Sequence, residues 1–411
     1  MIGVEEAIRL ITENARRLES ETVTLAAAAG RWTSKPVVAR TTNLPFRASA
    51  MDGYAVRFAD AAGDARLKVT GVAAAGAPFS GEVTKGEAVR IFTGAAVPTG
   101  ADHVVIQEDV TRDGDEITVR EEQAEPGNIR PPGEDFREGE TIVPAGTRLS
   151  PISVALAASA NYREIDVSRR PRVFFFGNGD ELIAPGGGEI APGQIISSTP
   201  FGFMPLIEEF GAEAFDGGIA RDTIESIGDA IERAAAGRAD IIVPLGGASV
   251  GDYDLVKPAF KERGFELLFE KVAVKPGKPA WLARRGGTYA LGLPGNPASS
   301  FACAHLFLAP LIRNLSGAAD PSPAPIVARL AQPLAKNGVR AHYLRAEYRV
   351  DNEGRLVARA FANQDSALLS PFAAANCLIV RPPNAPAAGV GDMVDLIAFA
   401  APAPLASKRR G

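Results

Sequence analysis

The run GGASVGDYD at 246–254 carries the strongest chemical signal in the chain. Its small residues let the main chain come close to a ligand and turn its amides toward an anion. Asp252 and Asp254 follow, two residues apart. Two carboxylates beside an amide nest offer a place for a divalent cation bridging to a phosphate or another oxyanion. A glycine-rich turn with solvated acids is the plainer alternative. KPGKP at 275–279 holds Lys275 and Lys278 among prolines. Proline restricts the backbone, so the two ammonium groups form a fixed array suited to a polyanion; a rigid surface turn is the other reading. GLPGNPASS at 292–300 ends an apolar run and opens a helix, where free amides with Ser299 and Ser300 nearby make an anion site. GNGDEL at 177–182 sets Asp180 and Glu181 after another glycine-rich turn.

Three further runs lie upstream. SAMDGYAV (49–56) puts Asp52 in a tight turn, and IFTGAAVPTGAD (91–102) puts Thr93 beside Gly94. NIRPPGED (128–135) gathers Arg130, Glu134 and Asp135. Each reads singly as a plain turn. Acid-bearing turns in two separate modules also fit a single cleft between them.

Several elements must position these runs. Val4, Ala7, Ile8, Ile11, Ala15 and Leu18 predict an opening helix with one apolar face. From about 20 to 140, short β-type runs broken by Gly, Pro and Asp predict a β-rich module. SPISVALAASA at 150–160 predicts a helix with Pro151 in its first turn. From Pro171 onward, RVFFF and ADIIVPL predict buried strands. Helices are predicted over roughly 200–210, 222–236 and 298–314, the second capped by Asp222 and stopped by Gly237. Apolar strands alternating with helices predict a parallel sheet covered on both faces, which binds ligands at the carboxyl ends of its strands. The three glycine-rich turns fall at such ends. ADPSPAP at 319–325 reads as a linker. Beyond it, HYLRAEYRV, RLVARAFA, NCLIVRP and DMVDLIAF predict a small β-barrel or sandwich.

Composition narrows the function classes. The 411 residues include 44 basic and 49 acidic ones, a net charge of −5, with 46% apolar and 23% charged residues. These values are ordinary for a globular protein and exclude a coiled coil or wholesale disorder. The mild acidity gives no support for broad nucleic-acid binding. No run of 18 apolar residues offers a membrane span, and the opening Glu5, Glu6 and Arg9 do not resemble a signal peptide. The two cysteines, Cys303 and Cys377, form no CxxC, so a reducing cytoplasm is the expected location. His103, His305 and His342 are not at zinc-ligand spacing. Cys303 and His305 share an apolar helical run that reads as packing rather than as a catalytic pair. The expected metal is a hard cation on carboxylates.

In their order, SAMDGYAV, TGAAVPTGAD, NIRPPGED, GDEL, GGASVGDYD, KPGKP and GLPGNPASS resemble the molybdopterin molybdenumtransferase family, whose eukaryotic relative is the E domain of gephyrin. RAHYLRAE and QDSALLS extend the likeness toward the C-terminus. The resemblance implies an α/β plus β multidomain chain. A discontinuous helical and β dimerisation domain would take residues 1–20 and 138–170, and an inserted β-rich domain 21–137. An α/β molybdopterin-binding domain with a parallel, three-layer sheet would take 171–317, and a C-terminal β-barrel 320–404. It further implies a homodimer whose cleft lies between the α/β domain of one subunit and the inserted domain of the other. Transient contacts with other cofactor-synthesis proteins are implied, but neither nucleic acid nor membrane. The implied reaction joins molybdate to the dithiolene of adenylylated molybdopterin, with Mg²⁺ as cofactor and AMP as the leaving product.

Carried over by motif, the implied catalytic residues are Asp52, Thr93, Asp135, Glu181, Asp222 and Asp254. Those implied to bind the pterin nucleotide are Gly246, Gly247, Ser249, Lys275, Lys278, Pro294, Gly295, Asn296, Pro297 and Ser299. Glu181, Asp252 and Asp254 are the implied Mg²⁺ ligands, and Arg345 and Ser366 are weaker matches. Gly177 and Asn178 stand where the family usually has Ser-Thr before GDEL. Two rival classes are a non-catalytic scaffold, since gephyrin's E domain also binds receptor segments, and an adenylyltransferase that makes the nucleotide-linked pterin. Release of AMP, consumption of ATP, or neither, separates the three.

Overall fold

The computed structural model describes residues 1–121, 123–186, 188–247, 255–322 and 325–399. The opening helix is Val4–Asn14, with Glu5 and Glu6 favourably placed in its first turn. Its buried face, Val4, Ala7 and Ile11, packs into the core of the later α/β unit. The Tyr289 hydroxyl donates to the carbonyl of Asn14 at 2.7 Å, and Asn314 Nδ2 donates to the carbonyls of Thr12 and Ala15, each at 2.8 Å. A helix with one apolar stripe needs a broad apolar surface to cover it. The α/β core supplies that surface.

The chain then forms two-stranded ribbons with a distant segment. Ser20–Thr24 pairs antiparallel with Glu164–Ser168, and Val37–Val38 pairs with Thr141–Val143. The boundary expected at residue 21 therefore falls inside a strand, and residues 20–38 pair with 141–168. Between these ribbons lies a six-stranded sheet. Its spatial order is His103–Ile106, Gly53–Val56, Glu87–Ile91, Arg66–Ala73, Glu116–Val119 and Val110–Asp113. Each of its faces carries a small apolar core.

The α/β unit has a six-stranded sheet between two apolar cores, which makes three layers. Glu213–Ala220, Arg172–Asn178, Ile241–Leu245 and Thr288–Gly292 run parallel. Trp281–Arg285 and Glu266–Phe269 complete one edge antiparallel, so the sheet is mixed where an all-parallel one was expected. The cause is local. Only Gly286 and Gly287 separate Trp281–Arg285 from Thr288–Gly292, a loop that makes a hairpin and cannot make a crossover. The helix after the last parallel strand runs as Pro297–Cys303, a π-helical turn Ala304–Leu308, and Ala309–Leu315. Cys303 is wholly buried, which pushes its thiol pKa up, and burial holds the His305 pKa down at about 4. Neither group has the exposure or the proton affinity of a catalytic pair.

Five strands, Ile326–Leu330, Ala341–Val350, Leu356–Ala360, Cys377–Arg381 and Met393–Ala398, close into a ring through the pairing of Ala341–Val350 with Cys377–Arg381. This is the expected barrel. Val274–Lys275 adds parallel to Ala341–Val350, so the KPGKP turn lies on the seam between the α/β sheet and the barrel. Among the described residues, no helix is long and apolar enough to cross a membrane.

The seam fixes a close contact. Gly277 has φ +110°, and a Cβ there would lie 2.1 Å from Cys303 Sγ. Gly277→Ala is expected to cost roughly 1–3 kcal/mol through overpacking and backbone strain, read as a lowered melting temperature. Cys303→Ala in the same chain should recover part of that loss, because the clash partner is gone. Equal melting temperatures for wild type and Gly277→Ala would show that the turn shifts freely.

Candidate active site

A cavity of about 760 Å³ opens at the carboxyl ends of the parallel strands. Gly177 and Asn178 line it from one strand end, and Leu245, Gly246 and Gly247 from the next. Pro294, Gly295, Asn296 and Pro297 line it from the turn after the last parallel strand, and Glu181 from the GNGDEL turn. The sequence assignment thus gathers seven of its residues on one wall: Glu181, Gly246, Gly247, Pro294, Gly295, Asn296 and Pro297. The turns nest tightly. Gly246 has φ +112°, and a Cβ on it would meet the Asn178 carbonyl at 2.6 Å.

Asp222 is not the helix cap that the sequence predicts. Thr223 caps Ile224–Ala236 by accepting from Ser226 N at 3.1 Å. Both residue types cap well, and here the second is at the right position. Asp222 instead accepts from Asn178 Nδ2 at 2.5 Å and from Asp180 N at 3.3 Å. It braces the GNGD turn from behind the cavity wall. With its amide committed to Asp222, Asn178 has a buried Oδ1 that meets no donor. That oxygen is closed off from solvent, so its unmet hydrogen bond is a cost carried inside the turn.

The lysine turn borders this cavity through Pro279. Lys275 and Lys278 are exposed, and neither forms a side-chain hydrogen bond or ion pair among the described residues. Lys275 is the register partner of His342. Burial, followed by the charges of Lys275, Arg340 and Arg345, holds His342 neutral with a pKa of about 4. Ser299 differs from expectation. It is buried and absent from the wall, as is Ser300, whose hydroxyl donates to the Pro294 carbonyl and locks the turn. Asn296 Nδ2 donates to Ser366 Oγ at 2.9 Å, and Ala298 N to the Ser366 carbonyl at 3.2 Å. These bonds seat a barrel loop on the turn, and Ala367 and Leu369 of that loop complete the wall. Arg345 is 1% exposed and holds the loop from below through Gln364 Oε1 and the carbonyls of Asp365 and Leu368. Ile195 and Ile196, both exposed, also line the cavity and carry no chemical signature that the sequence makes visible.

The inserted module forms a second cluster. The Asp52 carboxylate accepts from both Thr93 N and Thr93 Oγ1 at 2.8 Å. These two bonds hold its pKa below the usual carboxylate range. The three upstream runs converge here: Ser49 N donates to the Ala95 carbonyl at 2.9 Å, and Ala50 N to the Asn128 carbonyl at 2.8 Å. Asp135 sits apart, accepting from Asn43 Nδ2 at 3.0 Å. None of Asp52, Thr93 and Asp135 lines the 760 Å³ cavity of its own chain.

Ser249, Asp252 and Asp254 lie outside the described residues. Among the described residues, no group of three or more His, Cys, Asp or Glu is arranged to hold a metal. The donors on the wall are hard oxygens, those of the Glu181 carboxylate. They fit Mg²⁺, which takes one or two protein oxygens and fills its shell with water and phosphate.

Comparison with known proteins agrees with this layout. Residues 2–161 match the MoeA N-terminal region (domain I and II), residues 179–314 the probable molybdopterin binding domain, and residues 327–399 the MoeA C-terminal region (domain IV). A molybdopterin molybdenumtransferase of Haemophilus influenzae is 33% identical over 383 residues, 93% of this chain and 94% of that one. One from a Nostoc species is 33% identical over 396 residues, 93% and 90% of the two chains. The crystal structure of the molybdopterin biosynthesis moeA protein of Pyrococcus horikoshii OT3 superposes with a TM-score of 0.84 at 28% identity, covering 97% of this chain and all of the other. On this identity and coverage, the chain belongs to the molybdopterin molybdenumtransferase family.

Proposed function

We propose that the chain inserts molybdenum into molybdopterin during molybdenum-cofactor synthesis. Its substrates are molybdate and adenylylated molybdopterin, and AMP leaves in a Mg²⁺-dependent step. The observation that carries this reading is the 760 Å³ cavity at the strand ends, walled by main-chain turns and Glu181. Its volume suits a pterin nucleotide, since ligand pockets run from about 300 to 1,000 Å³. Nested turns present amides to phosphate oxygens, and Lys275 and Lys278 add unpaired positive charge at the border. Glu181, Asp252 and Asp254 would hold Mg²⁺, which when bound offsets charge on the phosphoanhydride oxygens. Asp222 acts through Asn178 and braces the turn that carries Glu181.

Asp52, Thr93 and Asp135 do not line the 760 Å³ cavity of their own chain. We therefore place Asp52, Thr93 and Asp135 opposite the cavity of a second copy, in a homodimer with two mixed sites. Thr93 keeps Asp52 ionised there, which suits a fixed negative charge.

Incubation with adenylylated molybdopterin and molybdate tests the reading directly. AMP release supports it, whereas ATP consumption or inertness sinks it. Glu181→Gln is expected to lower AMP release by about 10²–10³, the scale of one preorganised electrostatic group, with little change in melting temperature. Unchanged turnover at saturating Mg²⁺ would remove Glu181 from the mechanism.

Mixed dimers test the sharing of the cleft. Asp52→Ala and Glu181→Ala homodimers should each be nearly inactive. A dimer of one of each has one site with both lesions and one with neither, so it should recover up to about half of wild-type activity. Isolated mixed dimers as inactive as their parents would put the cleft within one chain.

Thr93→Val tests the charge state of Asp52. The depressed pKa keeps Asp52 ionised as the pH falls, until the pH passes through that lowered value. Removing the hydroxyl donor leaves only the Thr93 amide, so the carboxylate should protonate at a higher pH. Carboxyl-carbon NMR should show that upward move, and the acid limb of the activity profile should follow it. An unmoved Asp52 titration would mean that the hydroxyl contributes nothing.

A further inference from the structure

A second cavity, of about 330 Å³, shares no lining residue with the first. Arg148, Glu209, Phe210, His305, Arg313 and Phe399 line it. Three parts of the chain meet there. Arg148 precedes the helix Pro151–Ser159, Arg313 belongs to Ala309–Leu315, and Phe399 follows the barrel strand Met393–Ala398.

The two arginines are poorly compensated. Arg148 is held by main-chain oxygens, donating through Nε to Gly30 at 3.3 Å and through Nη2 to Glu209 at 3.1 Å. The Arg313 side chain donates to nothing among the described residues, and neither guanidinium forms an ion pair with a carboxylate there. Glu209 meets Arg148 through its carbonyl, and its own side chain is exposed. Burial depresses the Arg313 pKa and the charge of Arg148 adds to the effect, with Asp320 opposing. His305 on the same wall stays neutral, its imidazole stacked on Phe399 at 4.8 Å between ring centres. Like charges enclosed together raise the free energy of the fold, and an anion between them lowers it. Forked guanidinium donors match the oxygens of a tetrahedral anion.

We propose that this cavity binds a small tetrahedral dianion of the phosphate class between Arg148 and Arg313. The volume leaves room for bridging waters. An anion here ties the helical segment, the α/β unit and the barrel together, so its binding should be visible as stability.

The test uses the full chain carrying Lys275→Ala and Lys278→Ala, which silences the lysine turn. Equilibrium dialysis with labelled inorganic phosphate, at ionic strength fixed by chloride, is expected to give one site per chain. Adding Arg313→Gln is expected to weaken that site at least about tenfold, the scale of one hydrogen bond to a charged group. Arg313 has no protein hydrogen bond to lose. Without phosphate, the variant should therefore melt no lower than its parent, and with phosphate only the parent should gain in melting temperature. AMP forms the second arm. If AMP binds more tightly than phosphate, and does so through Arg313, the free dianion is the wrong ligand. Absence of a phosphate site, or phosphate binding indifferent to Arg313→Gln, overturns the proposal outright.

Discussion

Four strands of the α/β sheet run parallel, and the geometry of the candidate site depends on that direction. Parallel neighbours end on the same edge, so residues far apart in sequence meet there without any special attraction between their turns. The GNGD turn, the Gly246–Gly247 turn and the PGNP turn are brought together in this way. Pairing alone does not make a cavity wall. The turns must also nest, and nesting here requires a main chain without side chains at its closest point. Gly246 against the Asn178 carbonyl meets that need. The same packing commits the Asn178 amide to Asp222, which fixes the GNGD turn that carries Glu181 to the wall. A chain direction set by crossover helices thus ends as the placement of one acid-bearing turn.

The remaining units hold that edge in place. The opening helix covers the sheet's core from outside. The barrel reaches back over the PGNP turn through Ser366, and buried Arg345 stiffens the reaching loop. Lys275 is shared between two architectures, since its strand pairs with the barrel while Gly277 packs on a helix of the α/β unit. A shift of the barrel would therefore move both the lysine turn and one wall of the cavity. This coupling gives the C-terminal unit a physical part in the site although it contributes no titratable group to the wall.

The sequence made the strand-end turns legible because glycine clusters after apolar runs have few other uses in a parallel sheet. Glu181, the Gly246–Gly247 pair and the PGNP residues were readable for that reason. Asp222 was misread as a cap because Asp and Thr offer a helix start the same chemistry, and only the actual φ and ψ choose between adjacent candidates. Ser299 was misread because a hydroxyl near a helix start looks alike whether it faces ligand or core. Ile195 and Ile196 were invisible, since their types announce no chemistry, and Ala367 and Leu369 lay in the QDSALLS run without being singled out, since their place depends on how the barrel docks. The grouping of residues 1–20 followed the family resemblance, whereas the structure packs the opening helix elsewhere. The acids of the insert were likewise marked by resemblance, and only the structure shows that Asp52 and Thr93 form one hydrogen-bonded unit.

Charge completes the argument. The chain is acidic overall, at −5, yet the proposed ligands are all anions. Net charge acts weakly at the distances involved, because salt screens exposed charges beyond about 8–10 Å. What a ligand meets is the local set. At the lysine turn, Lys275, Lys278 and Arg340 are positive, His342 is held neutral, and neither lysine forms an ion pair among the described residues. At the second cavity, Arg148 and Arg313 stand in the same relation to neutral His305. In both places, burial and cationic neighbours strip a histidine of its proton. The cationic neighbours add a positive local potential to the larger effect of burial. An anion entering either place removes part of that potential, and the pKa of the neighbouring histidine must rise when it binds.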